Sequence, residues 1–230
     1  MRRSYFTLIA VTLVINFLIS IFLWNNNYLG IREKYRENVS FYEVLVTSLG
    51  NIRYTLAAYL WIRTEFYLHY SGHVVINQLP EIVYYARFIT ILDPSFVEAY
   101  DFGSYQLAFF LDKPLEGITF IKEGIKNNPD YWKLYYTAGV IYTRKIREYD
   151  DALRCFKKAE ELLNDPIKQK KYSHYKVENT EIGYMYRFMS RCFYEQGDYT
   201  KALEYYNKSY NYIQLKTELY NEIIEKLNRR

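Results

Sequence analysis

The residues that could carry chemistry are few and far apart. His69 and His73 stand at i, i+4, a spacing that metal sites on helices use. Ser71 and Gly72 lie between them and are expected to end the helix, and no cysteine or third histidine is near. His174 stands alone. Cys155 and Cys192 are the only cysteines and form no C-x-x-C pair, so they specify neither a disulfide framework nor a zinc site and are expected as buried free thiols. The acidic pairs Asp150-Asp151 and Glu160-Glu161 read as a helix start and a solvated helix face. There is no G-x-x-x-x-G-K-[ST] phosphate loop, no G-x-S-x-G elbow and no H-E-x-x-H helix. These absences lead to the expectation of a protein that is not an enzyme and holds no metal or cofactor. Tyrosine remains, with 28 copies, four of them in the stretch QGDYTKALEYYNKSY from Gln196 to Tyr210. Such rings could stack on single-stranded nucleic acid. A formal charge of +4, spread along the chain and not gathered into a basic block, argues against that partner.

The N-terminus bears on location. Residues 1–4 form a short tail, and from Tyr5 to Trp24 the segment YFTLIAVTLVINFLISIFLW runs twenty residues without a charge. At about 1.5 Å per helical residue it would span a hydrocarbon layer of about 30 Å. A cleaved signal would have a shorter apolar stretch and a small-x-small site, whereas LWNNNYLG follows here, so a retained transmembrane helix is expected. Arg2 and Arg3 on one side nearly balance Arg32, Lys34 and Arg36 on the other. The lean is toward a cytoplasmic N-terminus with the bulk outside, because large C-terminal domains translocate largely regardless of charge. Thr12, Asn16 and Ser20 fall on one face of this helix and would suit a helix-helix contact, although single spans also tolerate isolated polar residues.

Residues 25–43 read as a connector, and residues 44–230 as an all-α domain: five prolines, nine glycines and no run of strict alternation. Pro94 and Pro129 lie thirty-five residues apart, each followed six residues later by a tyrosine. Tyr135-x2-Ala138-Gly139-x2-Tyr142 places an aromatic, a small pair and a second aromatic on one helical face. Tyr100-x2-Gly103-Ser104-x2-Leu107, Tyr186-x2-Met189-Ser190-x2-Phe193 and Tyr54-x2-Ala57-Ala58-x2-Trp61 repeat it. All but the last are followed by a second pattern: Gly117-x3-Ile121-x2-Gly124, Ala152-x3-Phe156-x2-Ala159 and Ala202-x3-Tyr206-x2-Ser209. Small residues let two antiparallel helices approach, and the large aromatics fill the space beside them.

These patterns resemble the tetratricopeptide repeat, a helix-turn-helix unit with W-x2-L-G-x2-Y in its first helix and A-x3-F in its second. Tyrosine takes the tryptophan slot in every copy. Repeats are placed at about 50–94, 97–129, 132–164 and 183–213, with insertion loops around Ser71 to Leu79 and Asp165 to Asn179. Leu215, Leu219, Ile223 and Leu227 make one stripe on a capping helix at 214–230. The expected architecture is therefore a transmembrane helix, a TPR-like solenoid and a C-terminal cap. In the opening stretch, Tyr199 and Tyr206 become core, while Tyr205 and Tyr210 flank it.

The resemblance also implies a binding groove along the first helices. Carried onto this sequence, its candidate residues are Tyr105, Lys133, Tyr136, Arg144, Tyr184, Arg187, Arg191 and Tyr194, on a face that includes Asp101, Phe109 and Val140. An anionic or C-terminal peptide segment would suit such a strip through guanidinium-carboxylate pairing. These could equally be ordinary solvent-facing residues. The carboxylate clamp of chaperone-binding members uses asparagines where Tyr105, Val140 and Arg191 stand here, so that activity is not implied. The whole is similar to membrane-anchored repeat proteins of bacterial envelopes, some of which assist secretion or complex assembly. It is expected to act as a scaffold or adaptor, or alternatively as a permanent subunit of a larger membrane complex.

Overall fold

The computed structural model describes residues 49–70, 79–172 and 177–229. Candidate helix-contact residues Thr12, Asn16 and Ser20, together with His73 and His174, lie outside them. The chain divides into two units, Met1–Tyr59 and Leu60–Arg230. Of the first, only the start of helix α1 (Ile52–Tyr70) is described, where Tyr54 is exposed rather than packed in a core. The second unit holds the repeats.

Within it the described helices are α2 (Leu79–Leu92), α3 (Val97–Tyr105), α4 (Pro114–Asn127), α5 (Trp132–Ile141), α6 (Tyr149–Asn164), α7 (Pro166–Lys171), α8 (Asn179–Glu195), α9 (Tyr199–Tyr210) and α10 (Glu218–Asn228). No strand occurs among the described residues. Helices α3 and α4, α5 and α6, and α8 and α9 form three packed pairs. Inside each pair the large side chains are buried: Tyr100, Phe120 and Ile121 in the first, Leu134, Ile141 and Phe156 in the second, and Met185, Met189 and Tyr206 in the third.

Glycine makes the pairs close. A Cβ on Gly139 would stand 2.6 Å from the Phe156 ring, and one on Gly103 would stand 2.6 Å from the Phe120 ring. The ring of one helix thus fills the space that a side chain on the other would need. The third pair has Ser190 at the position of Gly139, fully buried, and its hydroxyl donates to the Ala202 carbonyl at 2.7 Å. The proline ruler fixes the turns: buried Asn128, after α4, donates to the Pro94 carbonyl before α3 at 2.8 Å, and Tyr135 donates to the Pro129 carbonyl six residues before it at 3.0 Å.

One spacing detail shapes the first helices. Tyr100 to Gly117 and Tyr135 to Ala152 are each seventeen residues apart, but Tyr186 to Ala202 are sixteen. The two longer copies end their first helix in a π-helical turn, Gln106–Phe110 and Tyr142–Ile146, which takes up the extra residue. Each turn is followed by a left-handed residue, Asp112 (φ 53) or Arg147 (φ 64), whereas the shorter copy uses Gly197 (φ 78).

Several details depart from the sequence-based expectation. The insertion after Asp165 is not all loop: it contains α7, whose first amides, of Ile167 and Lys168, donate to the Asp165 carboxylate. The terminal helix begins at Glu218, leaving Leu215 outside it and exposed, while Ile223 is fully buried. Tyr206 is buried, but Tyr199 is only half-buried against Tyr194. Both thiols are free; Cys192 is buried and Cys155 half-buried, and burial pushes each up to about 11.

Gly139→Ala tests the close approach. Alanine in a helix usually gains about 0.5 to 1 kcal/mol over glycine, whereas overpacking costs about 1 to 3 kcal/mol. The substitution is therefore expected to lower the melting temperature, and Phe156→Leu in the same chain to recover part of the loss. An unchanged or raised melting temperature for Gly139→Ala would contradict the packing.

Candidate functional site

The first helices α3, α5 and α8 meet through charged side chains. Lys133 pairs with Glu181 at 2.8 Å and approaches Asp101 at 3.9 Å, and the Thr137 hydroxyl donates to Asp101. One ammonium thus links three successive repeats. Burial raises the Asp101 carboxyl above its ordinary range against the opposing pull of Lys133. Burial also works against the Lys133 charge, yet Asp101 and Glu181 outweigh it and hold that ammonium above its ordinary value. Lys133 is engaged in joining repeats.

Further along the same face opens a cleft of about 560 Å³. Its walls come from the π turn after α5, the start of α6, the length of α8 and Leu219 of α10. Four guanidinium groups line it: Arg144, Arg147, Arg187 and Arg191. Tyr149, Tyr184 and Phe188 add aromatic surface, with Phe188 stacked on Phe156 at 6.0 Å, and Glu195 supplies one carboxylate. Charge neutralisation is uneven. Arg191 pairs with Glu195 at 2.5 Å and Glu222 at 3.3 Å, and lies 5.3 Å from the Tyr194 ring. Arg187 donates to the carbonyls of Ile213, at 3.1 Å, and Leu215, while its buried Nε–H has no acceptor. Arg144 rests 5.3 Å from the Phe109 ring, and Arg147 holds the left-handed turn. Both are exposed, and neither has an ion-pair partner among the described residues.

The structure therefore gathers Arg144, Tyr184, Arg187 and Arg191 at one cleft, with Tyr194 beside it. Tyr105 connects indirectly, its ring 4.5 Å from Phe109 and thence to Arg144. Tyr136 is half-buried between Trp132 and Phe156, at 5.9 and 6.2 Å, and burial raises its phenol, so it belongs to the packing. Val140 is buried rather than presented on the groove face. Arg147, Tyr149 and Phe188 escape a reading by repeat positions. The signal for Arg147 was the extra residue, which is taken up in the π turn just before it.

Among the described residues no group of three potential metal ligands comes together. No described helix is long and apolar enough to cross a membrane, and residues 5–24 lie outside the described set.

No protein-family model and no curated protein matches the sequence. Solved structures do resemble it. A crystal structure of MamA aligns at 16% identity over 82% of this chain and 92% of that one, with a TM-score of 0.51. The crystal structure of PilW, a widely conserved type IV pilus biogenesis factor, aligns at 12% identity over 94% and 86%, with a TM-score of 0.53. A thermophilic TPR protein of Thermus thermophilus aligns at 13% identity over 92% and 99%, with a TM-score of 0.49. These identities speak to the fold alone. That fold is all-helical among the described residues and TPR-like.

Lys133→Ala tests the inter-repeat tie. It leaves Asp101 and Glu181 facing each other without a cation, at an expected cost of about 1 to 2 kcal/mol for a half-exposed network. Burial holds the Asp101 carboxyl above its ordinary range, so acid neutralises it readily, and the loss of melting temperature should be larger near pH ~7.5, where it is ionised, than near pH ~4. Equal losses at both would contradict the assignment.

Proposed function

We propose that this chain is a membrane-anchored TPR-like scaffold or adaptor that holds an anionic protein segment at the arginine cleft. The observation that carries the reading is the convergence of Arg144, Arg147, Arg187 and Arg191 around a space large enough for several side chains, with tyrosines beside them. Guanidinium forks match carboxylates and phosphates in pairs of hydrogen bonds, and tyrosine adds rigid contact surface at low entropic cost. Anchoring rests on the apolar segment 5–24, with the N-terminus cytoplasmic and the repeats outside. A role in envelope assembly or secretion is supported by the likeness to a type IV pilus biogenesis factor. The chain has no catalytic task in this reading.

A second reading, a permanent subunit of a larger membrane complex, draws on α2. Tyr84, Phe88 and Ile91 fall at i, i+4 and i+7 on that helix and are 70%, 42% and 39% exposed. Copurification through detergent at fixed stoichiometry would favour the subunit, and salt-sensitive capture the adaptor.

The discriminating variant is Arg144→Glu with Arg147→Glu, since both side chains are exposed and neither has an ion-pair partner among the described residues. Capture of a partner recovered with the wild-type chain should fall at least tenfold while the melting temperature stays within a degree or two. Undiminished capture by the folded variant would refute the cleft as the binding surface.

A further inference from the structure

The chain already lays a segment of itself along one side of the cleft. After α9 the backbone leaves helical geometry from Ile213 to Thr217 before α10 begins. Arg187 takes two main-chain carbonyls of this segment, those of Ile213 and Leu215. Arg191 takes the Glu222 carboxylate at 3.3 Å, and Leu219 lends its aliphatic side chain to the lining. Carbonyls, one carboxylate and a leucine are what a bound peptide would offer an arginine-rich cleft.

The segment is not held evenly. Ile223 is fully buried, and the Thr217 amide donates to the Tyr206 hydroxyl at 2.8 Å, so the backbone is anchored. The Arg191–Glu222 pair is different, because both side chains are more than 40% exposed. Water screens such a pair and its net worth is small. The carboxylate is thus the replaceable part, whereas the helix behind it stays.

Resting on the reading of the cleft as a partner's seat, we propose that Ile213–Glu222 is its resident occupant and that the partner contributes a segment of the same chemistry. That segment carries an acidic residue a few positions from a leucine-sized side chain. Its carboxylate takes Arg191 from Glu222, and further acidic groups reach Arg144 and Arg147. Glu222 is an intramolecular competitor: a tethered group acts at an effective concentration on the order of millimolar. It sets a threshold that rejects weakly acidic segments and admits multiply acidic ones.

The test uses the full-length chain in detergent and a fluorescein-labelled synthetic peptide reproducing residues 217–225, which holds Leu219 with Glu218, Glu222 and Glu225 and no basic residue, read by fluorescence anisotropy. Glu222→Gln should bind the peptide about five-fold more tightly than the wild type, because one exposed ion pair no longer competes. Arg191→Gln should abolish that gain, and Arg144→Gln with Arg147→Gln should weaken both forms. Unchanged or weaker binding by Glu222→Gln, still dependent on Arg144 and Arg147, would overturn the competition and leave the cleft reading standing. Binding indifferent to Arg144, Arg147 and Arg191, or no binding to any form, would overturn both.

Discussion

The structure depends on the close approach of two helices where a glycine on one faces an aromatic ring on the other. With Phe156 against Gly139 and Phe120 against Gly103, each ring fills the volume a side chain would have taken. Gly124 does the same for Tyr100, where an added Cβ would stand 2.6 Å from that ring. A helix pair closed in this way still exposes an apolar side, and it gains stability by stacking on its neighbour. Aromatic abundance in this chain is therefore a packing resource. Tyr100 and Tyr206 are buried, and Tyr205 stacks on Phe193 at 5.1 Å.

Packing of the pairs leaves the outer side of each first helix free to vary, and there the chain does two things. In the middle of the array it uses Lys133 between Asp101 and Glu181 to join three repeats. Toward the C-terminal end it gathers guanidinium groups around a cleft. The single extra residue in two repeats links fold and site. It is taken up in the π turn Tyr142–Ile146, and Arg144 within that turn and Arg147 after it line the cleft. Strain and irregular turns of this kind often mark functional positions because regular helix geometry cannot aim a side chain there.

Much of the fold was legible because spacing carries it. A tyrosine, a pair that includes a small residue, and a second large apolar side chain at three- and four-residue intervals specify a helix face, and the proline ruler specifies the turn. The site was legible only in part. Arg144, Tyr184, Arg187 and Arg191 share the expected face, but repeat positions cannot say which side chains find partners inside the chain. Lys133 and Tyr136 look like groove residues in the sequence, yet an ion network claims one and ring packing the other. Leu215 fits the four-residue stripe, but the segment around it is held by Arg187 outside any helix. Such long-range partners lie twenty or more residues away in sequence, where periodicity is silent.

The central claim is that the arginine cleft, and not the apolar side of α2, is where a partner sits. A photo-crosslinking amino acid placed at Tyr184, and separately at Tyr84, in the full-length chain within native membranes tests it directly. The account predicts an adduct from position 184 whose attached partner peptide is rich in Asp and Glu, and little from position 84. An adduct confined to position 84, or a neutral or basic peptide joined at position 184, would contradict it.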